Sequence, residues 1–119
     1  GIAPHTDEVA RLLASAGYDI ILIETVGAGQ NDVTVRAPTD AVLLLLMPSA
    51  GDSVQFAKAG IVEIASAFVL NKSDLPGADK TARELRDALE DNRPVWSVSA
   101  LRAEGLEPVC AWIEQQIGR

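Results

Sequence analysis

At 119 residues, 48% of them apolar, the chain has the length of one domain and enough apolar side chains for a core. A formal net charge of −7 and a pI of about 4.5 leave no basic stripe to neutralise a run of phosphates, which excludes a nonspecific nucleic-acid binder. One cysteine, Cys110, excludes an intrachain disulfide, and one histidine, His5, excludes a histidine-rich metal cluster.

In chain order, Thr6 to Ala16 reads as a helix. Thr6 suits its N-cap, Asp7 and Glu8 its first turn, and Val9, Leu12 and Leu13 form an apolar stripe. Gly17 stops it. Asp19 to Thr25 follows, with Ile20-Ile21-Leu22-Ile23 showing neither helical period nor alternation; such a run predicts a parallel strand buried on both faces. It ends in Glu24 and opens into a loop with Gly27 and Gly29. Pro38 argues against a strand over Asn31 to Thr39. Ala41 to Met47 predicts a second buried strand. Pro48-Ser49-Ala50-Gly51 breaks it, and a helix from Asp52 or Ser53 to about Ser66 turns Val54, Phe56, Ala57, Ile61 and Ile64 to the sheet.

Ala67 to Leu70 is a third strand, ending in Asn71-Lys72-Ser73-Asp74. Asp79 to about Glu90 is a helix with Ala82, Leu85 and Leu89 inward. Pro94 to Val98 is a fourth strand, ending at Ser99-Ala100. The last helix covers about Leu106 to Ile117, with Pro108 in its first turn and Val109, Ile113 and Ile117 facing the core beside Trp112. Cys110 lies in this apolar pattern and reads as a buried core thiol. Strands and helices alternate throughout. The expectation is a single α/β domain over residues 1–119, a parallel β-sheet with helices on both faces. No signal peptide is visible, and the longest apolar run, Ala41 to Met47, is far too short to span a bilayer. The chain therefore reads as cytoplasmic, with no membrane or nucleic-acid partner.

Parallel strands bring their carboxyl ends to one edge, where open α/β sheets bind ligands. Glu24 stands where nucleotide hydrolases hold the carboxylate that reaches Mg²⁺ through water, and Gly27 lets a backbone N–H approach a phosphate. Asn71-Lys72-Ser73-Asp74 and Ser99-Ala100-Leu101 share that edge. The Asp74 carboxylate can accept from the ring N–H and the exocyclic amine of guanine; adenine would leave it unpaired. Asn71 can bond the base edge and tie neighbouring loops. The stem of Lys72 can lie over the base plane. The Ala100 N–H can donate to the guanine keto oxygen. Asn-Lys-x-Asp is also an ordinary polar turn; its place at a strand end, with Ser-Ala at the next, favours the guanine site.

Ala16-Gly17-Tyr18-Asp19-Ile20-Ile21-Leu22-Ile23-Glu24-Thr25-Val26-Gly27-Ala28-Gly29-Gln30 resembles the corresponding stretch of the MeaB/ArgK-type GTPases, methylmalonyl-CoA mutase-associated proteins of the SIMIBI class of P-loop proteins. Leu43 to Asp52, Lys58 to Ala65 and Val69 to Asp74 continue the resemblance, which runs more loosely to Gly105. It implies that Glu24, through a Mg²⁺-bound water, and Gly27 stand at the catalytic γ-phosphate end. Asn71, Lys72, Asp74, Ser99, Ala100 and Leu101 would form the guanine end, with GTP/GDP and Mg²⁺ as cofactors of the complete protein. Ala28, Gly29 and Gln30 would open a switch loop running to Pro38. The implied function is a G-protein chaperone that gates cobalamin loading of a cobalamin-dependent acyl-CoA mutase.

The chain departs from the family's pattern: the phosphate loop is missing, as are the family's acidic metal-binding loop and the C-terminal extension it uses in dimers. No Gly-x-x-x-x-Gly-Lys-Ser/Thr occurs in it, so the cradle for the phosphates is missing. The chain resembles the C-terminal half of a G domain, a partial Rossmann-like P-loop NTPase domain lacking the phosphate-loop strand, and is expected to be inactive alone. That strand would lie between Asp19 to Thr25 and Ala41 to Met47. Without it the two either leave a gap, open to self-association, or pair directly. The alternative is a non-enzymatic interaction domain, a split half binding a mutase or a complementary GTPase half.

Overall fold

The computed structural model describes residues 4–25, 39–48 and 60–117. Within them the order is α1 (Thr6–Ser15), β1 (Leu43–Leu46), α2 (Gly60–Ile64), β2 (Ala67–Leu70), α3 (Ala78–Leu89), β3 (Val95–Ser97) and α4 (Leu106–Ile117). The strands form one parallel sheet in the order β1-β2-β3. The fold is α/β, as the alternation predicts.

Register decides which side chains share a face. Leu44 pairs with Phe68 and Phe68 with Val95, so these three form one row across the sheet. Val62 of α2, Ala65 just after it, and Leu85 and Leu89 of α3 close over Leu44 and Phe68 as the core. One residue along, Val69 pairs with Trp96 and faces the other way. There the Trp96 ring meets Trp112 of α4 edge-on, with centroids 5.7 Å apart at 63°. Helices therefore cover both faces. Ala82, Leu85 and Leu89 are buried as their spacing predicts. Val62 of α2 and Ala65 just after it are buried, while Ile64, expected inward, is only half-buried.

Several expectations fail. Asp19 to Thr25 forms no strand: Ile20 is 46% and Leu22 80% exposed, and residues 20–25 have no ladder. A strand exists through its neighbours' hydrogen bonds, and no described strand lies beside this stretch. Ile21 and Ile23 instead turn into a cleft of about 310 Å³ against Val9, Ala10 and Leu13 of α1. Among the described residues this stretch and β1 do not pair directly, and β1 is an edge. Leu45 and Met47, on the face away from α2 and α3, are 61% and 56% exposed, so this strand is not buried on both faces.

Thr6 is the first helical residue and not the cap. His5 takes the N-cap position in the left-handed region, without a side-chain capping bond. Val9 and Leu12 are exposed, since α1 turns Thr6, Ala10 and Leu13 inward instead. Cys110 is exposed. Val109, Trp112, Ile113 and Gln116 form the half-buried stripe of α4, which puts Cys110 on its outer side. The loop predicted over Asn31 to Pro38 and the start of the helix expected from Asp52 lie outside the described residues.

Arg93 fastens α2 to the sheet. Its Nη1 donates to the carbonyls of Val62 and of Ala65, the latter at 2.9 Å, and its guanidinium lies 5.0 Å from the Phe68 ring centroid. Asp91 accepts from Arg93 Nε at 3.0 Å and pairs with Nη2 at 2.9 Å. The hydrogen bonds from Arg93 hold the Asp91 carboxyl below its usual range. A depressed carboxyl contributes stability that is complete above the ordinary carboxylate pKa and fades as pH falls through the lowered one.

Arg93→Ala should cost about 2 kcal/mol in urea unfolding, because it leaves the helix-terminal carbonyls without a charged donor. Arg93→Lys should recover only part of this, lacking the fork. Asp91→Asn should soften the loss of stability on acidification. The open edge gives a second expectation. The 119-residue chain alone should self-associate or melt without cooperativity, since an unpaired apolar edge invites another chain. Light scattering after size exclusion, followed by a thermal melt, checks it; a clean monomer with a sharp melt would contradict it.

Candidate functional site

The site begins where β2 and β3 end. Because the two are parallel neighbours, Asn71 to Asp74 and Val98 to Ala100 leave the same edge. The ladder continues past the strands: Asn71 N donates to Leu46 O at 2.8 Å, Val98 N to Leu70 O at 2.9 Å, and Ser73 N to Val98 O at 2.9 Å. Lys72 then adopts a φ of 59°, in the left-handed region, and its carbonyl accepts from Leu75 N at 3.0 Å. The chain thus turns sharply, with Asn71 before the bend and Asp74 after it.

Two side-chain bonds join the loops. Asn71 Oδ1 accepts from Ala100 N at 3.0 Å. Ser99 Oγ donates to Asp74 Oδ1 at 3.0 Å. Ser99 is fully buried and Asn71 half-buried, while Lys72, Asp74 and Ala100 are exposed and Leu101 is 90% exposed. The arrangement suits a planar ligand with adjacent donors and one acceptor. Asp74 keeps its second carboxylate oxygen beyond the bond from Ser99, and each carboxylate oxygen has room for more than one donor. The Ala100 N–H can meet a keto oxygen if it leaves Asn71 or is shared with it. An apolar side chain at Leu101 and the stem of Lys72 are available to flank a ring.

The structure brings together Asn71, Asp74, Ser99 and Ala100. Glu24 lies elsewhere in the chain's layout, lining the cleft against α1. Gly27, Ala28, Gly29 and Gln30 lie outside the described residues. Among the described residues no three His, Cys, Asp or Glu side chains are grouped to hold a metal ion. Glu24 offers a hard oxygen of the kind Mg²⁺ takes, and Mg²⁺ characteristically uses one or two carboxylates together with phosphate oxygens. No helix among the described residues is long and apolar enough to cross a membrane.

The sequence reading missed the support behind Ser99. Its N and O both bond to Glu104, each at 3.0 Å, closing the loop that carries Ala100. The one signal was Gly105, a glycine directly before a helix.

Comparison with known proteins identifies the family. A family model described as methylmalonyl Co-A mutase-associated GTPase MeaB matches residues 1–118. A protein of Pyrococcus abyssi with a provisional GTPase name is 41% identical over 109 residues, which cover 92% of this chain and 34% of that relative. A mitochondrial methylmalonic aciduria type A homolog of Caenorhabditis briggsae is 37% identical over 121 residues, covering 92% of this chain and 29% of the relative. The mouse protein of the same name is 47% identical over 74 residues, covering 62% and 18%. The chain spans about a third of the length of the curated relatives it matches. With the family model matching nearly its whole length, the chain belongs to the MeaB family of methylmalonyl Co-A mutase-associated GTPases.

Proposed function

We propose that these residues are the guanine-reading part of a GTPase that acts as a chaperone for a cobalamin-dependent acyl-CoA mutase. The observation that carries the base-reading role is the pair of bonds joining the loops after β2 and β3, Ser99 to Asp74 and Ala100 to Asn71. They set a carboxylate and a backbone N–H on one edge, as guanine requires. Asp74 accepts from the ring N–H and the amine, the Ala100 N–H donates to the keto oxygen, and Lys72 and Leu101 flank the base. Specificity follows from the cost of an unpaired carboxylate when adenine enters.

Glu24 would hold Mg²⁺ through water, and Gly27 would present its N–H to the γ-phosphate. Ala28, Gly29 and Gln30 would sense that phosphate and report it to the mutase. Mg²⁺ would supply charge neutralisation between the phosphates. The phosphate cradle would come from a part of the relatives that this stretch does not span. The mutase and the gating of cobalamin follow from the family alone. The exposed Leu22, Leu45 and Met47 favour a second reading, a half-domain that docks on a complementary GTPase half. Nucleotide binding by the 119 residues alone separates the two.

In the full-length protein Asp74→Asn should weaken GTP binding by about 2–5 kcal/mol, the range for losing a hydrogen-bonded charge partner that the bound base covers. It should also relax selection toward xanthine nucleotides, whose exocyclic oxygen meets the new amide donor. Titration calorimetry measures both, and unchanged GTP affinity would remove Asp74 from the site. The 119 residues alone should release no phosphate from GTP above buffer, because phosphoryl transfer depends on positioned phosphates. Release that survives in an Asp74→Ala control marks a contaminant, and release lost with that substitution would contradict the expectation.

A further inference from the structure

The loop between β3 and α4 is fastened to itself. Ser99 and Glu104 exchange two backbone hydrogen bonds of 3.0 Å. Inside that clasp Ala103 N donates to Ala100 O at 3.3 Å, and Arg102 N donates to Ser99 Oγ at 3.3 Å. Ala103 has a φ of 55°. Gly105 follows with a φ of 75°, and a Cβ there would stand 2.6 Å from the Ser97 carbonyl oxygen and 3.4 Å from Val98 Cα. Ser97 cannot retreat freely, because it belongs to β3 and pairs with Leu70. Only glycine lets the chain lie this close to the end of β3.

We propose that Gly105, with the Ser99–Glu104 clasp, is a positioning residue that sets purine selection at C6. It does so by fixing where the Ala100 N–H stands on the sheet edge. This rests on the guanine-site reading and goes beyond it, naming a determinant that touches no ligand. Ser99 is held three ways: its backbone by Glu104, its hydroxyl by Asp74, and its side chain by complete burial. Ala100 is the next residue, so its N–H inherits that placement. Any side chain at position 105 pushes the Glu104 end of the clasp away from Ser97, and the strain falls on Ser99 and Ala100. Asp74 is anchored on a different loop by the turn at Lys72, so the contact with the keto oxygen suffers more than the contacts with the ring N–H and amine.

The test uses the full-length protein and calorimetric titration with GDP, ADP and 6-thio-GDP. The thio analogue keeps the ring N–H and amine and replaces the keto oxygen with sulfur, a weaker acceptor. Wild type is expected to prefer GDP over both. Gly105→Ala is expected to shrink the GDP to 6-thio-GDP preference by about three- to tenfold, the worth of one backbone hydrogen bond. A general loosening would weaken both nucleotides alike; an unchanged ratio overturns the proposal. Should Gly105→Ala fail to fold, Glu104→Pro carries the same reading, since it deletes the donor to Ser99 O without adding an atom at position 105. Wild type that does not distinguish GDP from ADP overturns the guanine-site reading itself. Wild type that prefers GDP over ADP but binds 6-thio-GDP equally well overturns only the role of the clasp.

Discussion

Adjacent parallel strands must release their chains at the same edge, and in this protein that constraint falls on β2 and β3. Their ladder from Phe68–Val95 to Leu70–Ser97 continues through Val98 N to Leu70 O and Ser73 N to Val98 O. Asn71 and Asp74 are thereby brought within bonding distance of Ala100 and Ser99, although 29 and 25 residues separate the pairs in sequence. The core beneath maintains the register. Phe68 and Leu70 are fully buried, and Arg93 fixes α2 over the start of β2 while its guanidinium covers the Phe68 ring. Packing at the amino ends of the strands thus supports polar geometry at their carboxyl ends.

The two edges of the sheet differ. On β3, Arg86 Nη2 donates to the Val95 carbonyl at 3.1 Å, and Gly105 packs against the Ser97 carbonyl. Side chain and loop together cover that edge, as proteins commonly do with a strand that must not pair further. No described strand pairs with the outer side of β1, and Leu45 and Met47 are exposed beside it. The stretch 20–25, which has the composition of a central strand, runs without a ladder. The loops proposed to read the base leave the carboxyl ends of β2 and β3, whereas Glu24 lines the cleft against α1.

Much of the fold was legible because local chemistry and tertiary contacts agree. Ala67 to Leu70 is a short apolar run that stays buried because α2 and α3 close on it. In α3, Ala82, Leu85 and Leu89 have only one face that can be inward. Where two faces were equally apolar, periodicity could not choose: Val62 and Ala65 are buried and Ile64 only half-buried, and Cys110 fell outside a stripe defined by Trp112. The Ile20 to Ile23 run was misjudged for a different reason. Its composition states what the stretch requires, whereas strand formation depends on a neighbour that composition cannot supply. At the site, Asn71 and Asp74 were legible as a motif. The Ser99–Glu104 clasp was not, because backbone-to-backbone bonds leave almost no trace in residue types beyond a glycine.

The most direct measurement is a crystal structure of the full-length protein with GDP and Mg²⁺. The guanine should lie between the Lys72 stem and Leu101. Its ring N–H and amine should be within hydrogen-bond distance of the Asp74 carboxylate, its keto oxygen on the Ala100 N–H, and the Ser99–Asp74 bond should be retained. A base bound away from Asn71, Asp74 and Ala100, with their present bonds to one another undisturbed, would contradict the assignment of these loops as the guanine site.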